Sequence, residues 1–578
     1  MRATKPFKRS LNEHLGFGKK RVPSWSAAKR HGKRLRPNFT HMKRIFTQLS
    51  FVFSIVLAFS AQAQKPKLVV SIVVDQMRAD YLTRWADLYE GGFNTLLTQG
   101  EVFYNAHYTF APTYTGPGHA SIYTGTDPRY HGIIANDWYL PETGGFMYCM
   151  EDADVYGVGV DSSAYQGKRS PKNMKSTTWT DELELATDGA SQVYGFSLKD
   201  RGAITAAGHL GDGAFWLDAS GFITSSFYME ELPVWMQRFN KKYSPESYMK
   251  GTWDYARDRS LYPTTYTNAY ERTPKGAASA DFPYDLAALY KAGGMEALKA
   301  TPWGNQILVD VALTAVKARK LGQNPSGATD VLAISFSATD YIGHSTGIRS
   351  HETMDMYLRL DAQLGELFKG LDELVGAGSY IVVLTADHGA AQNPRLLEEA
   401  MPTANWYPAD LEAELRSLIA AEGVPSEAVL NFSNEQVHLD FNLLGDSDAD
   451  DWMEATRDAL LKHPAMAEAW TMEEIRISPD PFAVLRRNGT DKRGGQVYFA
   501  LHPGHLSYSD DGTTHGSGYA YDTHVPVVFM GAGFNPRSRH NERIGIKDIA
   551  PTLCKILDIA FPSACTGNPL WVDAGWAD

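Results

Sequence analysis

The chain has 578 residues, of which 43% are hydrophobic, 12% aromatic and 21% charged, enough core material for one large domain or two to three ordinary ones. Its formal net charge is −12, but residues 1–63 hold 14 Lys and Arg against one acidic residue, so the remainder carries about −25. This excludes a general binder of nucleic acid or anionic membrane, and an anionic substrate would need a local cluster of cations to enter.

Residues 1–41 are basic and lack hydrophobic periodicity. From Met42 the order is Lys43 and Arg44, an apolar run from Leu49 to Phe59, then Ala61-Gln62-Ala63, which reads as a secretory signal peptide cleaved near Ala63. The run is about half of what spans a bilayer, so the mature chain is expected in the periplasm without a membrane anchor. A leader starting at Met42 makes residues 1–41 an upstream extension that need not be translated. Residues 64–578 are then expected to form one α/β domain.

Four apolar, β-branched runs read as buried strands of a parallel sheet: KLVVSIVV from 67, VLAISFS from 331, YIVVLTA from 380 and VPVVFMG from 525. Between the second and third, Met356, Leu360, Leu364, Leu367, Phe368, Leu371 and Leu374 recur at helical steps. Strand, helix, strand implies a right-handed crossover and a doubly wound, mostly parallel sheet flanked by helices. Two stretches, near 204–304 and 390–500, break that scheme and are expected to be insertions capping the sheet edge. The first opens with AFWLDASGFITSSFY, a hairpin turning at Asp218 to Gly221. Three cysteines, Cys149, Cys554 and Cys565, exclude a disulfide scaffold and a thiolate metal cluster, leaving open a pairing of Cys554 with Cys565.

Chemistry-bearing residues follow the strands. The first strand ends in Asp75, the second in Asp340 with His344 four residues on, the third in Asp387-His388, and the GTTHGS loop before the fourth carries His515. Ligands bind open α/β sheets beyond the carboxyl ends of the strands, so these six side chains converge on one rim. Three imidazoles and three carboxylates without thiolate suit two borderline cations, zinc first and manganese second. In FAPTYTGPGHASIYTG, residues 110–125, Pro117 fits the first turn of a helix and sets Thr115 at or next to its N-cap. Helix dipole and metal would both favour a Thr115 alkoxide, which makes it the candidate nucleophile for displacement at phosphorus. His119 and His131 are accounted for by packing and turn. His524 rivals His515, but it directly precedes a strand, whereas His515 lies in a Gly-flanked loop.

PTYTGPGH and HGIIANDWY, with VVDQMRADY, ATDYIGHSTG, TADHGA and GTTHGS, resemble the alkaline phosphatase superfamily across residues 65–570. The chain is most similar to the single-threonine branch that holds nucleotide pyrophosphatase/phosphodiesterases and periplasmic phosphate-irrepressible alkaline phosphatases. The resemblance implies Asp340, His344 and His515 on one zinc and Asp75, Asp387 and His388 on the other, with Thr115 bound at the second. It implies that Asn136 hydrogen-bonds a phosphoryl oxygen. In GFSLKDRGAI, residues 195–204, Lys199 and Arg201 match a Lys-x-Arg pair of the monoesterases that the diesterases lack, and an extended segment would point both the same way. The expected substrates are small phosphate monoesters, with a diesterase as the alternative and an inactive phosphate-ester-binding scaffold behind it. No protein partner is predicted. A sulfatase is disfavoured because no Cys/Ser-x-Pro-x-Arg segment replaces the threonine motif.

Overall fold

Seven consecutive apolar or small residues, Leu68–Val74, are buried on both faces as strand β1 because it runs through the middle of an eleven-stranded sheet. The computed structural model describes residues 65–570 apart from 267, 398–405, 408–410, 446, 509 and 510. The signal peptide and the basic extension lie outside the described residues. The other long strands are β2 (Glu101–His107), β3 (Val193–Ser197), β4 (Gly213–Asp218), β5 (Gly221–Ser225), β6 (Asp330–Phe336), β7 (Tyr380–Thr385) and β8 (His524–Gly531). Their spatial order is β2-β8-β7-β1-β6-β3-β4-β5, with short strands at both edges.

The centre, β7-β1-β6-β3-β4, is parallel in register, and the flanks are not. Strand β8, expected to be parallel, runs antiparallel to β7, with Val528 opposite Leu384 and Met530 opposite Val382. The reversal brings the loop that precedes β8 to the carboxyl rim. A second difference concerns the hairpin at Asp218–Gly221: instead of opening an insertion, its strands β4 and β5 extend the main sheet. Its indole and phenyl side chains Trp216, Phe215 and Phe222 are buried there.

Helices cover the sheet: α1 (Gly92–Gln99), α2 (Thr115–Thr124), α3 (Asp200–Ala207), α4 (Pro302–Arg319), α5 (Ala338–Thr346), α6 (His351–Leu371) and α7 (Ile549–Leu557). The expected amphipathic stripe on α6 is buried from Met356 to Leu371. Residues 429–501 form a separate four-stranded antiparallel sheet with its own apolar cluster around Leu415, Ile419, Val437 and Val497. The three cysteine thiols are free. Among the described residues no helix is long and apolar enough to cross a membrane.

Candidate active site at the carboxyl rim

The nominated residues meet where β1, β6 and β7 end. Asp75 follows β1, Asp340 lies in the first turn of α5 just after β6, and Asp387-His388 follow β7. The ligand atoms of Asp75, Asp387 and His388 lie within 4.8 Å of one another, as do those of Asp340, His388 and His515. His344 Nε2 is 3.2 Å from Asp340 Oδ1, and His515 Nε2 is 3.8 Å from the same oxygen. The His388 and His515 rings stack at 3.4 Å. By contrast, His524 Nε2 is 2.7 Å from the Tyr104 carbonyl and its ring stacks on His107, away from the cluster.

The backbone fixes which ring nitrogen faces the site. His344 Nδ1 donates to the Thr513 carbonyl (2.8 Å), His388 Nδ1 to Gly389 (2.9 Å) and His515 Nδ1 to Thr113 (2.7 Å). A carbonyl can only accept, so each Nε2 keeps its lone pair for the cluster. Burial first, and then the neighbouring imidazoles, hold His515 well below the usual imidazole range. Burial opposes ionisation of Asp340, yet His344 in its protonated, metal-free form and the Lys199 ammonium hold it well below the carboxylate range. Burial and the carboxylates of Asp340 and Asp387 raise Asp75 instead. Asp75 Oδ1 and Asp387 Oδ2 are buried without a hydrogen-bond partner. Orphaned carboxylate oxygens beside three imidazole lone pairs are donors that a pair of divalent cations would satisfy, so the residues fit the metal class expected of them.

Thr115 is the first residue of α2, with Tyr114 at the N-cap. It is 1% exposed, and its Oγ1 lies 3.5 Å from His388 Nε2, the side chain common to both donor groups. Gly118 permits this placement: a Cβ there would stand 2.2 Å from the Asp387 carbonyl oxygen. Asn136 Oδ1 accepts the Gly116 N–H at 2.8 Å, which fixes the amide beside the helix start.

Lys199 and Arg201 do not sit on an extended segment. Lys199 is the N-cap of α3 and Arg201 lies in its first turn, because Ser197 Oγ accepts the Lys199 N–H and turns the chain into the helix. Lys199 Nζ bridges Asp75 Oδ2 (2.7 Å) and Asp340 Oδ2 (2.6 Å). Arg201 Nη1 donates to the Tyr148 hydroxyl at 3.2 Å, and that hydroxyl donates to Asp200, which also accepts Arg169 Nε at 2.7 Å.

Some supporting residues escaped the sequence reading. Gln76, in left-handed backbone at φ 64°, donates its N–H to Asp387 Oδ1 (3.1 Å) and its Nε2–H to Asp340 Oδ1 (2.7 Å). His119 Nδ1 lies 2.9 Å from the Thr115 carbonyl and 3.3 Å from Asp387 Oδ2, so it is more than a packing residue. Its position one helical turn after Thr115 was the available signal. His131 meets Ser121 and the Ile133 N–H and stays structural.

The model of the type I phosphodiesterase / nucleotide pyrophosphatase family matches residues 69–524. A Myroides odoratus protein named calcium-transporting ATPase is 40% identical over 91% of this chain and 98% of its own. Alkaline phosphatase PafA of Elizabethkingia meningoseptica is 38% identical over 88% of this chain and 94% of its own. Alkaline phosphatase PhoV of Synechococcus elongatus is 39% identical over 88% and 93%. The crystal structure of wild-type PafA superimposes with a TM-score of 0.82 at 37% identity, covering 88% of this chain and 99% of that one. By matched length and by these full-length relatives, the chain belongs to the type I phosphodiesterase / nucleotide pyrophosphatase family, with the fold of an alkaline phosphatase.

Proposed function

We propose that this protein is an exported, zinc-dependent alkaline phosphatase that hydrolyses phosphate monoesters through a phosphothreonine at Thr115. The observation that carries this reading is the Thr115 hydroxyl, buried at a helix start and 3.5 Å from the imidazole common to both donor groups. Asp340, His344 and His515 would hold one cation and Asp75, Asp387 and His388 the other, with Thr115 at the second. The two cations, when bound, would supply Lewis acidity that favours the threonine alkoxide and offsets charge on the leaving oxygen.

The chain's own groups do the rest. Thr115 Oγ attacks phosphorus, forming the O–P bond as the ester P–O bond breaks and the alcohol leaves. The N–H groups at the start of α2 favour the negative oxygen. Asn136, with Oδ1 occupied by Gly116, turns its NH2 to a phosphoryl oxygen, and Lys199 and Arg201 meet the others. Water then attacks the phosphothreonine, releasing phosphate and restoring the hydroxyl. A cavity of about 450 Å³ beside His515, lined by Tyr114, Phe432, Tyr508 and Tyr519, has room for the alcohol part of the ester.

A nucleotide diesterase is the second reading, favoured by the matching family model. Lys199 and Arg201 argue against it, since a diester has an organic group where a monoester carries a charged oxygen. ATP hydrolysis, in the name of the Myroides relative, breaks a phosphoric anhydride rather than an ester, but it too is displacement at phosphorus. Turnover of an aryl phosphate and of its methyl diester by zinc-loaded protein decides: a larger kcat/KM on the diester overturns the monoesterase reading.

A further inference from the structure

The antiparallel sheet of residues 429–501 reaches the candidate site through one tight turn. Strands Val429–Ser433 and Gln436–Leu439 pair with Ser433 opposite Gln436, so only Asn434 and Glu435 form the loop between them. Both are in left-handed backbone at φ 57°, the arrangement of a type I′ hairpin turn. Asn434 tolerates that conformation, and its amide donates to the Asp137 carbonyl at 2.9 Å, next to Asn136. Glu435 does not fit the turn: the second position favours glycine, and a long side chain there strains the backbone. The hairpin by itself gives no reason for a glutamate.

The partner of its side chain supplies one. Glu435 Oε2 accepts from Arg486 Nη2, and among the described residues Glu435 is the sole ion-pair partner of that guanidinium. Arg486 is 2% exposed, near Tyr114, Tyr498 and Tyr519, and its Nε and Nη1 are buried without a hydrogen-bond partner. A guanidinium so poorly solvated depends on its one carboxylate. Arg486 belongs to the helix Pro481–Gly489, which grips the chain ahead of Thr115. The Leu485 carbonyl accepts the Ala111 N–H at 3.1 Å, and Asn488 Nδ2 donates to the Thr109 carbonyl at 2.8 Å. A Cβ at Gly489 would stand 1.8 Å from the Ala111 carbonyl oxygen. Phe432, Asn434 and Glu435 line the cavity beside His515 together with Tyr114 and Tyr519.

We propose that Glu435 is a positioning residue: its ion pair with Arg486 holds the turn, and with it the Phe432 wall of the cavity, in place for the alcohol part of the ester. This rests on the reading that the cavity takes that alcohol. Glu435 itself reaches no reacting atom. The pair ties the hairpin to the helix that carries residues 109–111, so the two walls of the cavity, Phe432 and Tyr114, keep a fixed spacing. The strain in the turn is offset by that pairing and not by anything within the hairpin.

Glu435→Gly in zinc-loaded protein is the test. An ordinary turn would gain Tm, because glycine relieves the left-handed backbone. The ion pair predicts the opposite sign: Tm falls by several degrees, since Arg486 is left buried and unpaired. KM for phenethyl phosphate should rise roughly tenfold with kcat little changed, while kcat/KM for ethyl phosphate moves by no more than about twofold, the pattern of lost alcohol binding. The two alcohols leave with similar ease, so the contrast reads the wall and not the chemistry. Glu435→Gln keeps the length and one hydrogen bond and should fall in between. Glu435→Gly combined with Arg486→Met should regain Tm without regaining the phenethyl KM. A higher Tm for Glu435→Gly with unchanged kinetics would overturn the proposal. So would equal losses on the two esters, which would make the pair a stabiliser of the fold only. If the wild type turns over neither ester, the proposed reaction fails and the sign of the Tm change decides the pair. If Glu435→Gly does not fold, Glu435→Gln decides by the same two readouts.

Discussion

The two sides of the candidate catalytic cleft are built differently. On the strand side, the backbone does the orienting: Asp75, Asp340 and Asp387-His388 follow strands, and the imidazole Nδ1 atoms are fixed by carbonyls. On the other side, side chains orient side chains: Arg201 rests on Tyr148, Tyr148 on Asp200, and Asp200 on Arg169, whose guanidinium lies 4.7 Å from the Tyr148 ring. Damage on the strand side should therefore disable every reaction of the site. Damage opposite should be graded and should depend on the charge of the substrate.

The largest expected effect is at the point where the two sides meet. Thr115→Ala should lose nearly all phosphatase turnover while keeping its metals, and acid-quenched wild type should carry phosphate on Thr115. Thr115→Ser should stay active, because the hydroxyl is the reacting group in the proposed mechanism. Near-normal turnover by Thr115→Ala would mean direct attack by water and would remove the nucleophile from the comparison.

On the strand side, chelation should abolish activity and zinc should restore it, with about two metal ions per chain by elemental analysis. His515→Ala should lose metal and turnover on both ester classes, whereas His524→Ala, directed at the Tyr104 carbonyl, should keep most of both. The opposite result would transfer the ligand role to His524.

Opposite the strands, the double replacement of Lys199 and Arg201 by Ala should lower monoester kcat/KM by several orders of magnitude and diester kcat/KM much less. Each charge-assisted contact with the transition state contributes on the order of 2–4 kcal/mol, or roughly 30- to 1000-fold. Lys199 complicates the contrast, since its ammonium also bridges Asp75 and Asp340. Metal content must be measured in the same samples. Equal losses on both esters with metal missing would make Lys199 part of the strand side.

The same division governs what could be read from the sequence. Strand-end residues are visible because an apolar run announces where the backbone stops and which residue comes next. This exposed Asp75, Asp340, Asp387 and His388, and the sheet they share. Orientation was less legible: β8 has the composition of any buried strand, and its antiparallel sense is set by its pairing with β7, 380 to 385, a long-range fact. Helix or extension at Lys199 depended on one hydroxyl, Ser197 Oγ. Gln76 escaped because an amide next to a strand-end carboxylate carries no periodic signal. Tyr148, Asp200 and Arg169 escaped because their meaning lies only in their mutual contacts.

The smallest expected effect tests the relay of side chains most directly. Tyr148→Phe removes one hydroxyl and keeps the ring on which Arg169 lies. Arg201 loses an acceptor for Nη1, and Asp200 loses a donor but keeps Arg169 Nε and the Arg201 N–H at 2.6 Å. The helix start should therefore persist, and only the guanidinium should gain freedom. A hydrogen bond to a charged group contributes about 1.5–3 kcal/mol, and water at this half-buried position can replace part of it. Monoester kcat/KM should fall by roughly 5- to 30-fold, with a smaller change on the diester and no change in metal content. In an Arg201→Ala background the same substitution should cost almost nothing, because its target is gone. Additive losses in that cycle would mean that Tyr148 acts on the cleft by a route other than Arg201, and the side-chain relay would no longer explain the far wall.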